Sequence, residues 1–342
     1  MVRRFDDYDL SGHNTFRMRV KCACYIEYDT QRDLEEIDFD SLPRPLLHVG
    51  AGSNLLFTGD FPGTVLHSAV KFFRVESSGE ETVQVEVGSG IVLDDFCSWA
   101  CDKGLWGMEN LSGIPGEVGA AAVQNVGAYG VEIKDVVSCV KCYDIVGRRT
   151  EMLRVSDCAY GYRDSAFKHS PLKGRYIVLS VMFSLSRLYR PNLAYGNLAR
   201  LFEPGSELTP IQVRQAVLSV RAGKLPDPAE LGSAGSFFKN PVVSEDEYAR
   251  VCAIAEKEGV AEVPHYAVPG GCVKIPAAWL IDNCGYRGVE EGGAAVYERQ
   301  PLVIVNRSGN ARPSDILALE ERIIDGVYAK YGIRLSPEVE HI

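Results

Sequence analysis

Two glycine-punctuated stretches are where this 342-residue chain could do chemistry on a bound anion or ring. The first, His48-Val49-Gly50-Ala51-Gly52-Ser53-Asn54, follows the β-rich run Leu46–Val49. Glycines beside small polar residues let backbone N–H groups approach phosphate oxygens and form an anion nest. A dinucleotide fingerprint would need glycine at position 55 and then a helix. Position 55 is Leu, and Leu55-Leu56-Phe57-Thr58 continues as strand. The stretch therefore reads as a phosphate-cradling loop of another kind, or as a hairpin turn. The second stretch, Asn110 to Gly130, holds five Gly and no Lys or Arg. It suits backbone packed against a large neutral ring system with a pyrophosphate nearby, or a tightly packed glycine-rich crossing of the core. Metal chemistry finds no support. Cys139-Val140-Lys141-Cys142 is the one CxxC pair, and no second ligand pair stands at zinc spacing. The pair reads as buried thiols on a strand, on opposite faces. The six His show no metal-ligand spacing.

The elements that must position these stretches follow from pattern. From about Arg17 to Leu185 strand signals dominate: Val20–Tyr28, Leu46–Val49, Val83–Val87, Val136–Asp144 and Tyr176–Leu185. One helix interrupts them, Phe96–Lys103, preceded by Asp94 and Asp95 and stopped by Gly104. Helix signals dominate afterwards. Thr209-Pro210 opens one that Gly223 and Pro226 end. Ser244 and Glu247 form a capping box for a second, ending near Gly259. Ser314 begins a third, with Ile316, Leu319, Ile323 and Val327 on its apolar stripe. The domain boundary falls near residue 205, at Glu203-Pro204-Gly205-Ser206, and the tail after Gly332 packs back on the first part.

Composition bounds the rest. Length suggests two or three domains. Hydrophobic residues at 46% and charged residues at 24% are ordinary globular usage. Thirty-six Lys+Arg against 46 Asp+Glu leave a net charge of −10, which argues against a general nucleic-acid binder while leaving room for a local basic pocket. No run approaches the ~18 apolar residues of a membrane span. Met1–Asp7 shows no secretory signal, and ten Cys read as reduced thiols, so a cytoplasmic location is expected.

Six segments occur in one order: Asn14-Thr15-Phe16, Val49 to Asn54, Ile114 to Gly130, Tyr162-Arg163-Asp164-Ser165, Gly235-Ser236-Phe237-Phe238-Lys239-Asn240-Pro241 and Pro337-Glu338-Val339. The ordered set closely resembles the UDP-N-acetylenolpyruvoylglucosamine reductase (MurB) family of bacterial cell-wall synthesis, from about Asn14 to the C-terminus. Tyr195-Gly196-Asn197-Leu198 and Arg221 to Pro228 resemble its longer type, whose extra segment places a Tyr over the substrate.

The resemblance implies an α+β fold. An FAD-binding module of the vanillyl-alcohol-oxidase type would span 1–205, with two subdomains split near 70. A substrate domain would span 206–330, and the tail 331–342 would return to the active site. It implies FAD as cofactor, with Gly50, Ala51, Gly52, Ser53 and Asn54 on the pyrophosphate and Ile114, Gly119, Gly127, Ala128 and Tyr129 along the flavin and adenosine. NADPH would supply hydride through FAD to the enolpyruvyl sugar nucleotide, giving UDP-N-acetylmuramate. Small molecules are the only partners implied, with no nucleic acid and no membrane. Arg163 would grip the substrate carboxylate, Ser236 would give the proton, and Glu338 would act toward the enolate. Tyr195, Lys224, Lys239 and Asn240 would bind substrate; Tyr162 and Lys274 are further candidates. Two positions depart from the pattern: Glu340 stands where Arg is frequent, and Tyr297 where His is common. Two other readings stand beside this one. An FAD-linked oxidase of the same superfamily would not require Ser236, Glu338 and Lys224 together. A nucleotide-sugar sensor with a dead site should have lost one of Arg163, Ser236 or Glu338.

Overall fold

Period-two patterning builds the first sheet. Along Lys21–Tyr28 the side chains of Cys22, Cys24, Ile26 and Tyr28 are buried while Lys21 and Ala23 stay exposed. In this computed structural model, which describes residues 1–194, 198–268 and 270–342, that strand pairs in parallel with Phe61–Ser68, which pairs in parallel with Leu46–Val49. Arg3–Asp9 forms the outer edge. Parallel neighbours need a crossover. Here it carries the short helix Gln31–Glu35, started by Thr30 and Asp33 in a reciprocal capping box.

The second sheet is antiparallel, in the order Arg149–Arg154, Val137–Asp144, Tyr176–Ser186, Thr82–Gly88 and Phe73–Ser78. The chain passes from one sheet to the other between Ser68 and Phe73. The apolar run Tyr176–Ser186 lies within the sheet, and Val181 and Phe183 are fully buried beside Val85, Phe96, Val118 and Ala122. Two helices therefore cover this face. Leu93–Asp102 takes Asp94 and Asp95 into its first turn, where their charge complements the helix dipole. Val118–Gln124 is a helix that the glycine-rich sequence does not announce. Its Gly and Ala residues carry little apolar contrast, and no side chain caps it. Cys142 is buried and Cys139 half-buried on their strand, as opposite faces require.

These elements belong to one compact unit, Met1–Tyr8, Lys21–Ala51 and Phe61–Ala222; the other comprises Asp9–Val20, Gly52–Asp60 and Gly223–Ile342. The compact units change at Ala222–Gly223, downstream of residue 205. The helix Pro210–Lys224 buries Val213 and Val217 with Trp106, Leu198 and Leu208, and Arg214 makes a two-point ion pair with Asp94 at 2.5 and 2.9 Å. Packing ties that helix to the first unit.

In the second unit, Gly232–Ser236, Val303–Asn306, Ala294–Val296 and Glu290–Glu291 form an antiparallel sheet. A smaller sheet joins Val242–Ser244, Cys272–Lys274 and Tyr266–Val268. Helix Glu245–Lys257 starts at the Ser244–Glu247 capping box. Helix Pro313–Tyr331 buries Ile316, Leu319, Ile323 and Val327 and ends at Gly332 with φ 71°. Early residues join this unit through hydrogen bonds to backbone carbonyls: the Thr15 N–H donates to Gly52 C=O, the Ser233 N–H to Thr15 C=O, and Asn306 Nδ2 to Phe16 C=O. No helix among the described residues is long and apolar enough to cross a membrane.

Candidate active site

Glycine does different work at each position of the two stretches. At Gly50 a Cβ would lie 3.1 Å from Ala120 Cβ and 3.2 Å from Glu117 Oε2, so its absence lets the Val118–Gln124 helix approach the loop. Gly119 answers to packing. Its N–H donates to Ser89 C=O, the Val118 N–H donates to Ile91 C=O, and an added Cβ would meet Ser89 Cβ at 2.7 Å. The first donors of this helix thus serve the protein itself. Gly119→Ala is expected to cost about 1–3 kcal/mol through overpacking, read as a lower urea midpoint at unchanged slope. In the second unit, Gly52 has φ 65°, and a Cβ would stand 2.2 Å from His13 C=O. The neighbouring Asn14 fixes that approach. Its Nδ2 donates to the carbonyls of Leu10 and Met18 while its Oδ1 accepts from the Met18 N–H.

Further along the first unit, Gly127, Ala128 and Tyr129 are half-buried. Asn110 Nδ2 donates to Tyr129 C=O at 2.7 Å, and burial pushes the Tyr129 phenol up. Among the described residues Gln124 Nε2 is a buried donor without a protein partner, and Ile114 of the same glycine-rich stretch is buried. Such a donor set fits a flavin nucleotide, whose ring needs apolar contact and a few polar groups.

Arg163 lies in the same unit. Gly161 and Asp164 exchange backbone hydrogen bonds at 2.9 and 3.2 Å, closing a turn in which Arg163 adopts φ 55°. Arg163 Nη2 donates to Gly127 C=O at 2.5 Å, and its guanidinium carbon sits 5.2 Å from the Tyr162 ring centroid. The arginine and the glycine-rich stretch are therefore one hydrogen-bonded assembly, with Tyr162 stacked beside it.

Ser236 and Glu338 meet in the second unit. Strand pairing runs Ser233 to Val305 and then Ser236 to Val303, so one extra residue is inserted before Ser236, and Gly235 takes φ 71°. A bulge of this kind reverses which face the next side chain occupies. Ser233 is buried while Ser236 is only half-buried. Phe237 and Phe238 then anchor the segment, both almost wholly buried. The Glu338 N–H donates to Phe237 C=O at 2.8 Å and the Lys239 N–H to Ser336 C=O at 2.9 Å. Asn54 Nδ2 donates to Glu338 C=O at 3.1 Å. The backbone of Glu338 is thus held at both its polar groups, next to the residue that follows Ser236.

The tail closes on the same loop. Glu340–His341 pairs in parallel with Leu55–Leu56, the Ile342 N–H donates to Leu56 C=O, and the Thr58 N–H and Oγ1 donate to Ile342 C=O. Backbone pairing secures the tail although position 340 is Glu. His341 contacts Glu320 at 3.1 Å, and that carboxylate raises its pKa.

The substrate-binding candidates divide. Lys239 and Lys274 are half-buried, and Lys274 Nζ is 5.9 Å from the Tyr266 ring centroid. Asn240 Oδ1 accepts from the Ala277 N–H at 2.9 Å, starting helix Ala277–Asn283. Lys224 is exposed at the end of its helix, and Tyr195 lies outside the described residues. Tyr297 packs against the small cluster of Ala295, Val303 and Val305. Two features are invisible to sequence reading. One is Asn125, buried and bonded through Nδ2 to Gly161 C=O and through Oδ1 to the Lys134 N–H. The other is the contact of His67 with Glu27 and Glu117. Both join residues distant in sequence, and no local motif marks them. Among the described residues, no three His, Cys, Asp or Glu side chains are grouped to hold a metal ion.

Two family models match parts of the chain. A model for the C-terminal domain of UDP-N-acetylenolpyruvoylglucosamine reductase matches residues 227–342, and one for an FAD binding domain matches residues 38–156. The UDP-N-acetylenolpyruvoylglucosamine reductase of Bacteroides fragilis is 42% identical over 336 residues, 98% of this chain and 99% of that protein. The Porphyromonas gingivalis protein of the same name is 40% identical over 340 residues, 98% of each. The crystal structure of the Thermus caldophilus reductase superposes with a TM-score of 0.69 at 24% identity, covering 100% of this chain and 98% of that one.

Proposed function

Because the chain belongs to the UDP-N-acetylenolpyruvoylglucosamine reductase family, we propose that it uses NADPH to reduce UDP-N-acetylenolpyruvoylglucosamine to UDP-N-acetylmuramate, in the cytoplasm. The protein is an FAD-dependent oxidoreductase of peptidoglycan precursor synthesis. Gly50, Ala51, Gly52, Ser53 and Asn54 would hold the FAD diphosphate, with Ile114, Gly119, Gly127, Ala128 and Tyr129 along its rings. Bound FAD would accept hydride from NADPH and pass it to the terminal enol-ether carbon.

The remaining steps belong to this chain's residues. Hydride addition drives electron density into the substrate carboxylate, and a fixed cation there lowers the barrier. Arg163 serves that role, because a guanidinium grips a carboxylate at two points and keeps its charge. Ser236 gives its hydroxyl proton to the adjacent carbon as the enolate forms, and Glu338 orients the site and acts in its protonated form toward the enolate. Lys224, Lys239 and Asn240 take the phosphate or carboxylate groups of the sugar nucleotide, and Tyr195 covers its diphosphate. The observation carrying this reading is the hydrogen-bonded pairing of Phe237–Lys239 with Ser336–Glu338, which makes Ser236 and Glu338 neighbours despite their separation in the chain.

Steady-state kinetics test it. One cofactor serving two substrates in turn should give parallel double-reciprocal lines for NADPH and the enolpyruvyl sugar nucleotide. Intersecting lines would mean that both substrates bind together, and purified protein without flavin absorbance that cannot be reconstituted with FAD would defeat the assignment.

A further inference from the structure

His67 lies on Phe61–Ser68, paired with Glu27 on one neighbouring strand and with Val49, immediately before Gly50, on the other. Both its ring nitrogens face carboxylates: Nδ1 is 2.8 Å from Glu27 Oε2 and Nε2 is 3.0 Å from Glu117 Oε1. An ionised carboxylate only accepts, and a neutral imidazole has one donor. With both carboxylates ionised, two such contacts at once require the imidazolium. The side chains are well covered, with exposures of 12% for His67 and 9% for Glu117, so water does not substitute cheaply for either bond. Glu117 has a second oxygen, and that one lies 3.2 Å from where a Cβ of Gly50 would be. A carboxylate therefore stands against the backbone of the loop proposed to hold a diphosphate.

The charges around the ring complete the picture. Arg3 is shared between Glu27 at 2.7 Å and Asp29 at 2.6 Å. Tyr25 stacks at 6.3 Å between ring centroids. His48, on the neighbouring strand, is hydrogen-bonded to the Tyr28 hydroxyl, and burial pushes its pKa down to about 3, so it adds no charge. With His67 protonated, the imidazolium and Arg3 face Glu27, Glu117 and Asp29, and the Met1 amine pairs with Asp29 at 3.1 Å. Loss of that proton removes the cation that Glu117 contacts and one of the two that Glu27 contacts. Burial alone would lower the His67 pKa, but the hydrogen bonds and charges of Glu117 and then Glu27 outweigh it and lift the value above that of an ordinary imidazole.

We propose that His67, as an imidazolium held between Glu27 and Glu117, is a positioning residue for the Gly50 loop that makes FAD affinity depend on a proton. The inference rests on the reading that this loop holds the FAD diphosphate. Protonated His67 neutralises Glu117 and fixes it against the loop. The deprotonated ring releases a carboxylate beside a bound dianion, and FAD binds less well. Affinity is therefore full below the folded pKa of His67 and declines as pH rises through it.

The test dilutes holoenzyme at pH values from 6 to 9 and reads released FAD by its fluorescence. The dissociation constant of the parent should rise roughly tenfold across this range, since one linked proton changes it by at most about tenfold per pH unit. Glu117→Gln removes the charge beside Gly50 and should bind FAD with less than about twofold change over the same range. His67→Gln keeps one hydrogen bond but no charge, so it should bind more weakly at pH 6 and show a flat profile. A merely structural histidine would lower affinity in His67→Gln without altering the slope. An unchanged slope in His67→Gln, or a flat profile in the parent, overturns the inference while leaving the loop reading intact. Gly50→Val separates the two: FAD bound as tightly as in the parent would remove the loop from the diphosphate, and the inference with it. Loss of FAD from a variant that still melts cooperatively supports the loop.

Discussion

Ser236→Ala should leave a folded, flavin-containing protein that NADPH reduces at nearly the parent rate, yet one whose reduced form hands its electrons to the enolpyruvyl substrate ~10²–10⁴-fold more slowly, the range of a lost general acid. The fold should survive because the substitution removes one hydroxyl and leaves the backbone devices alone. The bulge depends on Gly235 at φ 71°, and the segment is anchored by the buried Phe237 and Phe238. Reduction by NADPH needs no proton from serine, so the loss should fall on one half-reaction. Ser236→Cys supplies a donor of lower pKa and should recover part of the rate. Stopped-flow reoxidation of pre-reduced protein by substrate, compared for Ser, Ala and Cys, separates the outcomes. If the alanine variant reoxidises at close to the parent rate, the proton comes from another group, and Glu338, held beside Phe237, is the next to replace.

Arg163→Lys is expected to slow the same half-reaction by ~10²–10³-fold, comparable to removing a donor that stabilises developing negative charge. Lysine keeps a positive charge but not the planar fork that grips a carboxylate at two points. Both side chains meet the same backbone requirement at φ 55°, so the turn closed by Gly161 and Asp164 should persist. The structure adds a control. Arg163 also donates to Gly127 C=O, within the stretch proposed to line the rings of FAD. If that bond is its main task, reduction by NADPH and reoxidation by substrate should fall equally, and the visible spectrum of the bound flavin should shift. Selective loss of reoxidation with an unchanged spectrum identifies the carboxylate clamp.

Much of this molecule can be read locally, and the elements show why. Tyr176–Ser186 is a long apolar run and lies within a sheet. Ser244 with Glu247 starts a helix, and Gly332 ends another, because caps satisfy backbone groups within a few residues. Val118–Gln124 leaves no such mark, because glycine and alanine give little apolar contrast. The packing that follows residue 205 is equally silent in the sequence. A Pro-Gly turn is visible, but the packing of Val213 and Val217 on Trp106 is not.

The order of the six segments, with Arg163, Ser236 and Glu338 among them, is a property of the sequence alone, and so is the family it resembles. Tertiary structure decided what each residue does beside its neighbours. It made Gly119 a packing position against Ser89, turned Ser236 by a bulge, gave Asn240 a helix end to start, and set His67 between two carboxylates. Asn54 and Glu338, bonded across a separation of 284 residues, show the physical reason. Caps, turns and strand alternation act over a few residues and leave local marks. A long-range hydrogen bond forms only after the intervening chain has folded, and no residue between the partners signals which donor will meet which acceptor.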